Sequence, residues 1–312
     1  MLVTKSAIRP GSNFNRQGGS IFHQRQQYAF IRDHAAQYPI RRLCRAVGAS
    51  PSGYYAWRNR AESRRSKANR ILLGQIEAVH RDSRQTYGPI RIHRELTSQG
   101  NSAGLNRIAR LKREAGLRTK QTLVWQQAGR GRTFEHIVEH RLLRRFYADR
   151  PNERWVADIT FIPTAQGWLY LSVIMDLYSR LIVGWAMDKK PSQELATLAL
   201  EMSLGRRAKP VGLLLHTDQG VQYRTARYQA LLAQNDIQPS MSRKGNCHDN
   251  AAMESFFHTL KTEHVRHQKY RTFDEARQSL FDYIEVFYNR QRRHSYLAYM
   301  TPFEYERLHA VS

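Results

Sequence analysis

Hydrophobic residues recur at helical spacing in the first part of the chain, where residues 23–66 predict short helices. Gly48 follows one apolar run and is positioned to end a helix, while Ser50 or Ser52 can cap the next one. A helix, a short turn and a second helix form a helix-turn-helix, although a small helical bundle has the same pattern. We therefore interpret this segment as helix-turn-helix-like.

Residues 67–120 predict three further helices, and charged positions lie between their apolar ones. The apolar positions predicted to face inward are Ile71, Leu72, Ile76, Val79, Ile92, Leu96, Leu105, Ile108, Leu111 and Leu117. The cationic positions predicted to face outward are Arg107, Arg110, Lys112 and Arg113. A helix with a cationic outer face suits contact with phosphates, and the alternative is a solvated charged surface.

From residue 151 the pattern becomes that of strands. The segment "RWVADITFIPT" predicts one strand, and "GWLYLSVIMDLYSRLIVGWAM" predicts two more that form a hairpin around "DLYSR". The segment "SQELATLALEMSLGRR" predicts a helix that Ser192 is positioned to cap. The segments "VGLLLHTDQG" and "IQPSMS" then predict two short strands, with the predicted helix "RTARYQALLAQND" between them. A helix is predicted from residue 251 and another over 273–292, so this part predicts an α/β layered domain.

Charge separates the two parts of the chain more sharply than the apolar pattern does. The sequence has 50 Lys and Arg against 26 Asp and Glu, which gives a formal net charge of +24. Residues 1–150 contain 30 basic and 9 acidic side chains, or +21, and residues 151–312 contain 20 and 17, or +3. This segregation predicts a nucleic-acid-binding first half followed by an ordinary globular domain.

Several classes of protein do not fit the composition. No apolar run approaches the ~20 residues of a membrane helix, and the first residues lack the apolar stretch of a secretory signal. The two cysteines, Cys44 and Cys247, form neither a disulfide framework nor a zinc motif. We therefore expect a cytoplasmic protein that makes no membrane contact.

Three carboxylates stand in apolar surroundings. Asp158 lies inside the first strand, Asp218 just past the buried strand, and Glu254 among the apolar residues of "HDNAAMESFF". If the strands of the two aspartates are neighbours, all three acids can gather at one sheet edge, where like charges raise each other's pKa. Two Mg²⁺ ions resolve that repulsion, since Mg²⁺ prefers carboxylate oxygens and two-ion sites catalyse phosphoryl transfer.

Structural roles are the alternative for each acid, as a salt bridge or a helix cap. Asp176 is the strongest rival ligand because "IMDLYSR" is also strand-like. Asp188 and Asp249 are assigned structural roles, and Trp155, Trp168 and Trp185 are expected in the core.

The motifs "WVADIT", "DLYSRLIVGWAM", "LLLHTDQGVQY" and "RKGNCHDNAAMESFFHTLKTE" resemble the integrase core of the insertion-sequence-three transposases, specifically their second-frame product, OrfB. Asp158 and Asp218 are separated by 59 residues and Asp218 and Glu254 by 35, which matches the DD(35)E pattern shared with retroviral integrases. The resemblance covers about residues 40–308. The tail departs from the family's "HSxLGYxTP" by having Ala298 in place of the glycine.

The resemblance implies an RNase H-like integrase core, preceded by all-α helix-turn-helix-like DNA-binding domains and followed by a C-terminal helix. It implies that Asp158, Asp218 and Glu254 are catalytic and hold two Mg²⁺ ions, for which Mn²⁺ is expected to substitute. His216 is expected to be a second-shell partner or a packed, hydrogen-bonded histidine. The candidate DNA contacts are Lys261, Asn250, Arg243, Lys244, Arg91, Arg107, Arg110, Lys112 and Arg113.

The predicted organisation has six parts. They are a disordered leader over 1–22, a helix-turn-helix-like segment over 23–66, a basic helical DNA-binding domain over 67–120, a basic linker over 121–150, the RNase H-like catalytic core over 151–266 and a C-terminal helical extension over 267–312.

The function implied is that of a DNA transposase that cleaves and joins insertion-sequence ends, acting on terminal repeats and target DNA. We expect a homo-oligomer on paired ends and a bacterial, nucleoid-associated location. An alternative is a DNA-binding regulatory subunit that is inactive without the first-frame product, OrfA, as partner or fusion, since no sustained heptad zipper occurs here. A resolvase or RNase H-like nuclease fits the spacing and the basic first half less well.

The basic half predicts DNA binding that weakens steeply with salt, because each neutralised phosphate releases counterions. Affinity for duplex DNA, measured by fluorescence anisotropy between about 50 and 200 mM salt, should therefore fall strongly. A flat dependence over this range would contradict an electrostatic binding surface.

Overall fold

A computed structural model describes residues 24–120, 148–207, 210–241 and 251–309. The chain divides into two compact units, residues 1–68 and 69–312. The proposed boundaries of six domains remain a prediction, and the leader and most of the linker lie outside the described residues. In the part of the chain that the structure covers, no helix is both long and apolar enough to cross a bilayer.

The first unit contains three short helices, α1 (Gln24–His34), α2 (Ile40–Val47) and α3 (Pro51–Arg58). As predicted, α2 ends at Gly48, which has a φ of 68°, and Ser50 caps α3 by accepting a hydrogen bond from the Gly53 amide at 3.4 Å. The helices share one small core, made of Tyr28, Ile31, Leu43, Cys44 and Tyr54.

The helices α4 (Arg64–Asp82), α5 (Pro89–Ser98) and α6 (Leu105–Glu114) follow, and α5 begins with Pro89 in its first turn. Their common core confirms most of the predicted inward positions, since Leu72, Ile76, Val79, Ile92, Leu96, Ile108 and Leu111 are buried and Leu117 packs against them. Tyr87, for which no inward position was predicted, is also part of this core. Two predicted inward positions are wrong, because Ile71 is 54% exposed and Leu105 is 37% exposed. Both lie at the edge of a helix face that three short helices cannot cover completely.

The α/β domain contains a five-stranded mixed sheet. Its strands are β1 (Arg154–Thr164), β2 (Gly167–Asp176), β3 (Ile182–Asp188), β4 (Leu214–Thr217) and β5 (Gln238–Met241), and their spatial order is β3-β2-β1-β4-β5. The pairs β1–β2 and β2–β3 are antiparallel, as the predicted hairpin requires, while β4 runs parallel to β1 and β5 parallel to β4. The predicted α/β class and all five predicted strands are confirmed.

Helices cover both faces of this sheet. The helices α7 (Gln193–Arg207) and α8 (Ala226–Gln234) pack on one face, where Trp155, Ala157 and Leu215 lie in the core. The helices α9 (Ala251–Glu263) and α10 (Phe273–Phe281) pack on the other face, where Val156 and Ile162 are buried. Ser192 caps α7 as predicted, with the Leu195 amide donating to its hydroxyl at 3.3 Å.

The predicted helix over 273–292 is not one regular helix. α10 ends at Phe281, a π-helical segment continues over Asp282–Tyr288, and the last helix, α11, covers Pro302–His309. Ala298, which occupies the family's glycine position, has a φ of 51°. This left-handed conformation favours glycine, so the motif's preference at that position has a backbone cause.

Polar contacts fasten α4 and α5 to the C-terminal segment within the second unit. Arg84 pairs with Asp282 at 2.6 Å, and the Tyr87 hydroxyl donates to the Gln291 carbonyl at 2.9 Å. Arg293 donates to a Glu95 carboxylate oxygen at 2.5 Å. The α5 helix and the connection before it are therefore held against the same C-terminal segment that packs on the five-stranded sheet.

Gly184 allows the closest approach between the sheet and α7. A Cβ atom built at Gly184 would lie 2.0 Å from the Ser203 hydroxyl and 2.3 Å from the Ala199 carbonyl. Gly184→Ala should therefore lower the free energy of unfolding by about 1–3 kcal/mol, since backbone must move. Urea denaturation of the full chain measures this change.

Gly205→Ala is the matched control, because a Cβ there meets nothing within 4 Å. It should leave stability unchanged or raise it by up to about 1 kcal/mol through helix propensity. Equal urea midpoints for the two variants would show that the close approach at Gly184 is not a packing constraint.

Candidate active site

The two aspartates are brought together by the register of β1 and β4. Arg154 lies level with Leu214, and Val156 with His216, a constant offset of 60 residues. The same offset places Asp158 level with Asp218, the first residue after β4. Neighbouring strands are about 4.8 Å apart, so the predicted adjacency of these two strands is confirmed.

The alternation of side chains along β1 and β4 assigns both aspartates to the sheet face that α9 covers. Val156, two residues before Asp158, packs in the core together with Met253 and Phe256 of α9, whereas Trp155 and Ala157 pack on the opposite side. Side chains alternate along a strand, so Asp158 shares the face of Val156, and its level neighbour Asp218 does too.

Glu254 projects from the exposed side of α9. Met253, Phe256, Phe257 and Leu260 are buried, but Glu254 itself is exposed. The interpretation of Glu254 as a carboxylate surrounded by apolar side chains is therefore wrong, because adjacent helical residues lie about 100° apart around the axis. The Glu254 carboxylate therefore faces the site from the solvent side, and its charge is not desolvated.

The pKa of Asp158 shows that its carboxyl interacts with the charges of both other acids. Burial raises the pKa of the Asp158 carboxyl to about 6. The charges of Asp218 and Glu254 raise this pKa further. The Ile159 amide, which donates to the carboxylate at 2.7 Å, and the charge of Lys261 both lower it. The repulsion among the acids would be relieved by a bound cation.

A divalent cation fits the donor chemistry of this group, which consists only of carboxylate oxygens. No cluster of three His, Cys, Asp or Glu side chains among the described residues is close enough to enclose one metal ion. A two-ion arrangement does not need such a cluster, because Mg²⁺ takes one or two protein carboxylates and fills the remaining positions with water and phosphate. The residues present therefore fit a divalent cation that keeps part of its coordination open.

Lys261 lies two helical turns beyond Glu254 on α9. Its ammonium is 4.7 Å from the centre of the Phe161 ring, and its charge interacts with that of Asp158. Burial lowers the pKa of Lys261, Arg266 lowers it further, and Asp158 opposes this effect. Lys261 is thus held beside the carboxylates, as the sequence predicts.

Trp168 is not a core residue, contrary to prediction. It is 53% exposed and meets the ring of Phe161, 51% exposed, edge to face at 4.9 Å. Trp168 is the second residue of β2, directly after the β1–β2 turn. Trp155 is buried as predicted, and Trp185 is half-buried with its indole N–H donating to Glu285 at 2.6 Å.

Asp176, the rival ligand, has a structural role. It lies level with Trp155 and therefore on the face opposite to Asp158. Its carboxylate accepts from the amides of Asn152 at 2.8 Å and Tyr178 at 3.0 Å, and burial raises its pKa to about 6. Asp188 accepts from the Lys189 amide at 2.7 Å, and Asp249 lies outside the described residues.

His216 lies on the face of the aspartates, level with Val156. It is buried, and its Nδ1 is 3.0 Å from the Ser240 hydroxyl of β5. This hydrogen bond fixes the ring next to the strand end that precedes Asp218. A role for His216 in orienting a carboxylate that binds metal remains a prediction.

Tyr223 was assigned no role from the sequence, although it ends the quoted motif "LLLHTDQGVQY". It is buried, and its hydroxyl finds no hydrogen-bond partner in the described part of the chain. Burial raises its pKa well above 10, with Tyr228, Asp158 and Asp218 adding to the rise. The phenol therefore lies within the field of the two aspartates.

The side chains predicted to contact DNA from the helical domain differ in their exposure and in the partners they already have. Arg113 is exposed, Arg110 pairs with Glu114 at 3.0 Å, and Arg107 donates to Asn69 at 2.9 Å. The outward orientation predicted for Lys112 is wrong, because Lys112 is buried and its ammonium donates to the Leu117 carbonyl.

Arg91 is directed into the protein rather than towards solvent, with a guanidinium nitrogen 3.7 Å from Glu263 of α9. Arg243, Lys244 and Asn250 lie outside the described residues. DNA contact by any of these residues remains a prediction.

Family models agree with this architecture. A model described as integrase core domain matches residues 148–247, a second model of the same description matches 254–309, and an HTH-like domain model matches 67–122. The fold and these models define a protein with an integrase core domain and an HTH-like domain.

Relatives specify the family. The chain is 38% identical over 282 residues to transposase InsF for insertion sequence IS3A of Escherichia coli, covering 90% of this chain and 98% of the relative. It is 41% identical over 260 residues to an insertion element IS600 31 kDa protein of Shigella sonnei, covering 83% and 96%. The chain belongs to the IS3 family of transposases.

Solved integrase structures are more distant. The chain matches a simian T-cell lymphotropic virus intasome with a TM-score of 0.43 and 18% identity, over 51% of this chain and 56% of that one. It matches the HTLV-2 integrase catalytic core in complex with magnesium with a TM-score of 0.41 and 16% identity, over 51% and 99%.

The pKa of Asp158 predicts a pH-dependent stability. The folded carboxyl binds its proton more tightly than the unfolded one, whose pKa is near 3.8, so wild type loses stability as pH rises from about 4 to about 6. In metal-free buffer, Asp158→Asn should therefore be more stable than wild type at pH 7.5, by on the order of 1–3 kcal/mol.

The advantage of the variant should vanish towards pH 4, where the wild-type carboxyl is protonated in both states. Urea denaturation followed by tryptophan fluorescence at several pH values measures this difference. A difference that stays constant from pH 4 to 7.5 would contradict the raised pKa.

Proposed function

We propose that Asp158, Asp218 and Glu254 form the catalytic set of this transposase and hold two Mg²⁺ ions during strand cleavage and joining. The observation that carries the proposal is the parallel β1–β4 register, which sets Asp158 level with Asp218 on the face covered by the Glu254 helix. Mn²⁺ is expected to substitute, since it also prefers oxygen ligands.

The chain's own residues hold the carboxylates in place. The Ile159 amide orients Asp158, and the Gly220 amide orients Asp218 at 2.9 Å. Glu254 stands on a helix whose other face is anchored by buried Met253 and Phe256. When bound, the two ions would supply charge stabilisation of the attacking and leaving oxygens.

Lys261 would contact a substrate phosphate beside this set. Its ammonium lies close enough to Asp158 for their charges to interact, and the Phe161 ring holds it there. A DNA phosphate between the carboxylate-bound ions and this ammonium would be positioned for in-line attack by water or by a 3′-hydroxyl.

The basic first half would hold the DNA that this site cuts. Its +21 charge suits terminal repeats and target DNA, with exposed Arg113 as one phosphate contact. We also propose action as a homo-oligomer on paired ends, a first-frame product as partner or fusion, and a bacterial cytoplasmic location at the nucleoid.

The catalytic set is tested with a branched DNA oligonucleotide that mimics a joined element end, incubated with Mg²⁺ or Mn²⁺. Asp158→Asn, Asp218→Asn and Glu254→Gln should each slow strand cleavage and joining by at least about a thousandfold, equal to about 4 kcal/mol of barrier. DNA binding, measured on the same oligonucleotide, should survive in all three variants.

Asp188→Asn and Glu201→Gln are matched controls, because Asp188 is in the edge strand β3 and Glu201 is exposed on α7. Both should keep wild-type activity. Wild-type rates in Asp158→Asn would refute the assignment. If wild type forms product only after the first-frame protein is added, the proposed partner is required.

A further inference from the structure

A cavity of about 320 Å³ lies beside α9, between the end of β2 and the C-terminal residues 292–296. We propose that this cavity binds a nucleoside phosphate, with the base against its apolar floor and the phosphate at its cationic rim. It is distinct from the carboxylate set, since none of its described lining residues is an acid.

Three arginines supply the cationic rim. Arg91 comes from α5, Arg180 from the β2–β3 turn and Arg292 from the C-terminal segment. Glu263 is the carboxylate that pairs with two of them, accepting from Arg292 at 2.7 Å through both oxygens and lying 3.7 Å from Arg91. Three positive charges against one negative charge leave an excess of two, which suits a phosphate.

Arg180 is the arginine best placed for a ligand. It is half-buried, in the left-handed conformation with a φ of 61°, and its guanidinium lies 4.2 Å from the centre of the Tyr296 ring. Arg180 takes part in none of the ion pairs found among the described residues. The stack on Tyr296 therefore holds an uncompensated charge in place, so binding a phosphate costs little side-chain entropy.

The floor of the cavity is apolar. Val156, Met175, Leu177 and Phe256 line it, and each is at most 2% exposed. An inorganic anion gains nothing from such a floor, whereas a flat nucleobase would transfer its own apolar faces from water onto it. The combination of apolar floor and cationic rim selects a nucleoside phosphate over phosphate alone.

Neutral polar groups complete the lining. Ser255 and Thr259 place hydroxyls along the α9 side of the cavity. His294 adds no charge at neutral pH, because burial and then the charges of Arg292, Arg91 and Arg180 hold its pKa well below 6.5. These groups can exchange hydrogen bonds with a sugar or a base edge without altering the charge balance.

The position of the cavity indicates a source for its ligand. Val156 precedes Asp158 by two residues on the same sheet face, and Ser255 follows Glu254 on α9. A nucleotide in the cavity could therefore belong to a DNA strand whose next phosphates reach the carboxylates. This strand-bound source rests on the proposed function, while a free mononucleotide would satisfy the same chemistry.

Calorimetric titration of the full chain in EDTA tests the cavity without requiring catalysis. The probes are dAMP, deoxyadenosine, inorganic phosphate and a 5′-phosphorylated single-stranded tetranucleotide. Arg180→Met, which keeps the aliphatic part of the side chain, should weaken nucleotide binding by about tenfold or more. Ser255→Phe, at an exposed position, should weaken it similarly by filling the cavity.

Arg227→Met is the matched control, since Arg227 is exposed on α8 at the opposite sheet face. It should bind all four probes like wild type. Loss confined to the tetranucleotide supports the strand-bound source, and loss with dAMP supports the free nucleotide.

Three results would overturn the proposal. They are unchanged nucleotide affinity in both cavity variants, an equal loss in Arg227→Met, and phosphate binding as tightly as dAMP. Circular dichroism of each variant shows whether the fold is retained.

Discussion

The parallel pairing of β1 with β4 is the constraint on which the active-site arrangement depends. It joins segments 60 residues apart and sets Asp158 level with Asp218, on the face that α9 covers. A slip of one residue would turn one aspartate to the opposite face, towards Trp155 and Leu215. Both strands have buried residues on two faces, so such a slip would also place charge in an apolar core. Core packing and the placement of the acids therefore enforce the same register.

The third acid depends on a different interaction, at the far end of its helix. Glu263 ends α9, and its carboxylate forms a buried ion pair with Arg292, at 2.7 Å and with side chains 4% and 6% exposed. Removing one partner of such a pair costs about 3–5 kcal/mol, because the other charge stays buried. Arg91 of α5 approaches the same carboxylate. The position of Glu254 is thus coupled through one helix to the basic helical domain, which would link the proposed DNA-binding surface to the proposed site.

Local sequence pattern predicted most elements of the α/β domain but not every side chain's environment. β1 covers the eleven residues quoted for it, because alternation and turn residues act over short distances. Tertiary structure explains why the predicted environments of three side chains, Glu254, Lys112 and Trp168, are wrong. Glu254 turns away from its buried neighbours, the ammonium of Lys112 donates to the Leu117 carbonyl, and Trp168 is exposed next to the β1–β2 turn. The adjacency of Asp158 and Asp218 has no local signal and was expected only from the carboxylates' shared chemistry and the family resemblance.

The distribution of charge follows from what a carboxylate site must do with DNA. Three acids repel a phosphodiester, and Asp158 already has its pKa raised to about 6, first by burial and then with the charges of Asp218 and Glu254 contributing. Attraction must therefore come from elsewhere, and residues 1–150 supply it with a net charge of +21. Around the acids, Lys261 and the arginines near α9 supply the short-range part. DNA would thus be gathered by the basic surfaces but approach the acids closely only when cations neutralise them, so that metal binding would control contact between the strand and the proposed catalytic carboxylates.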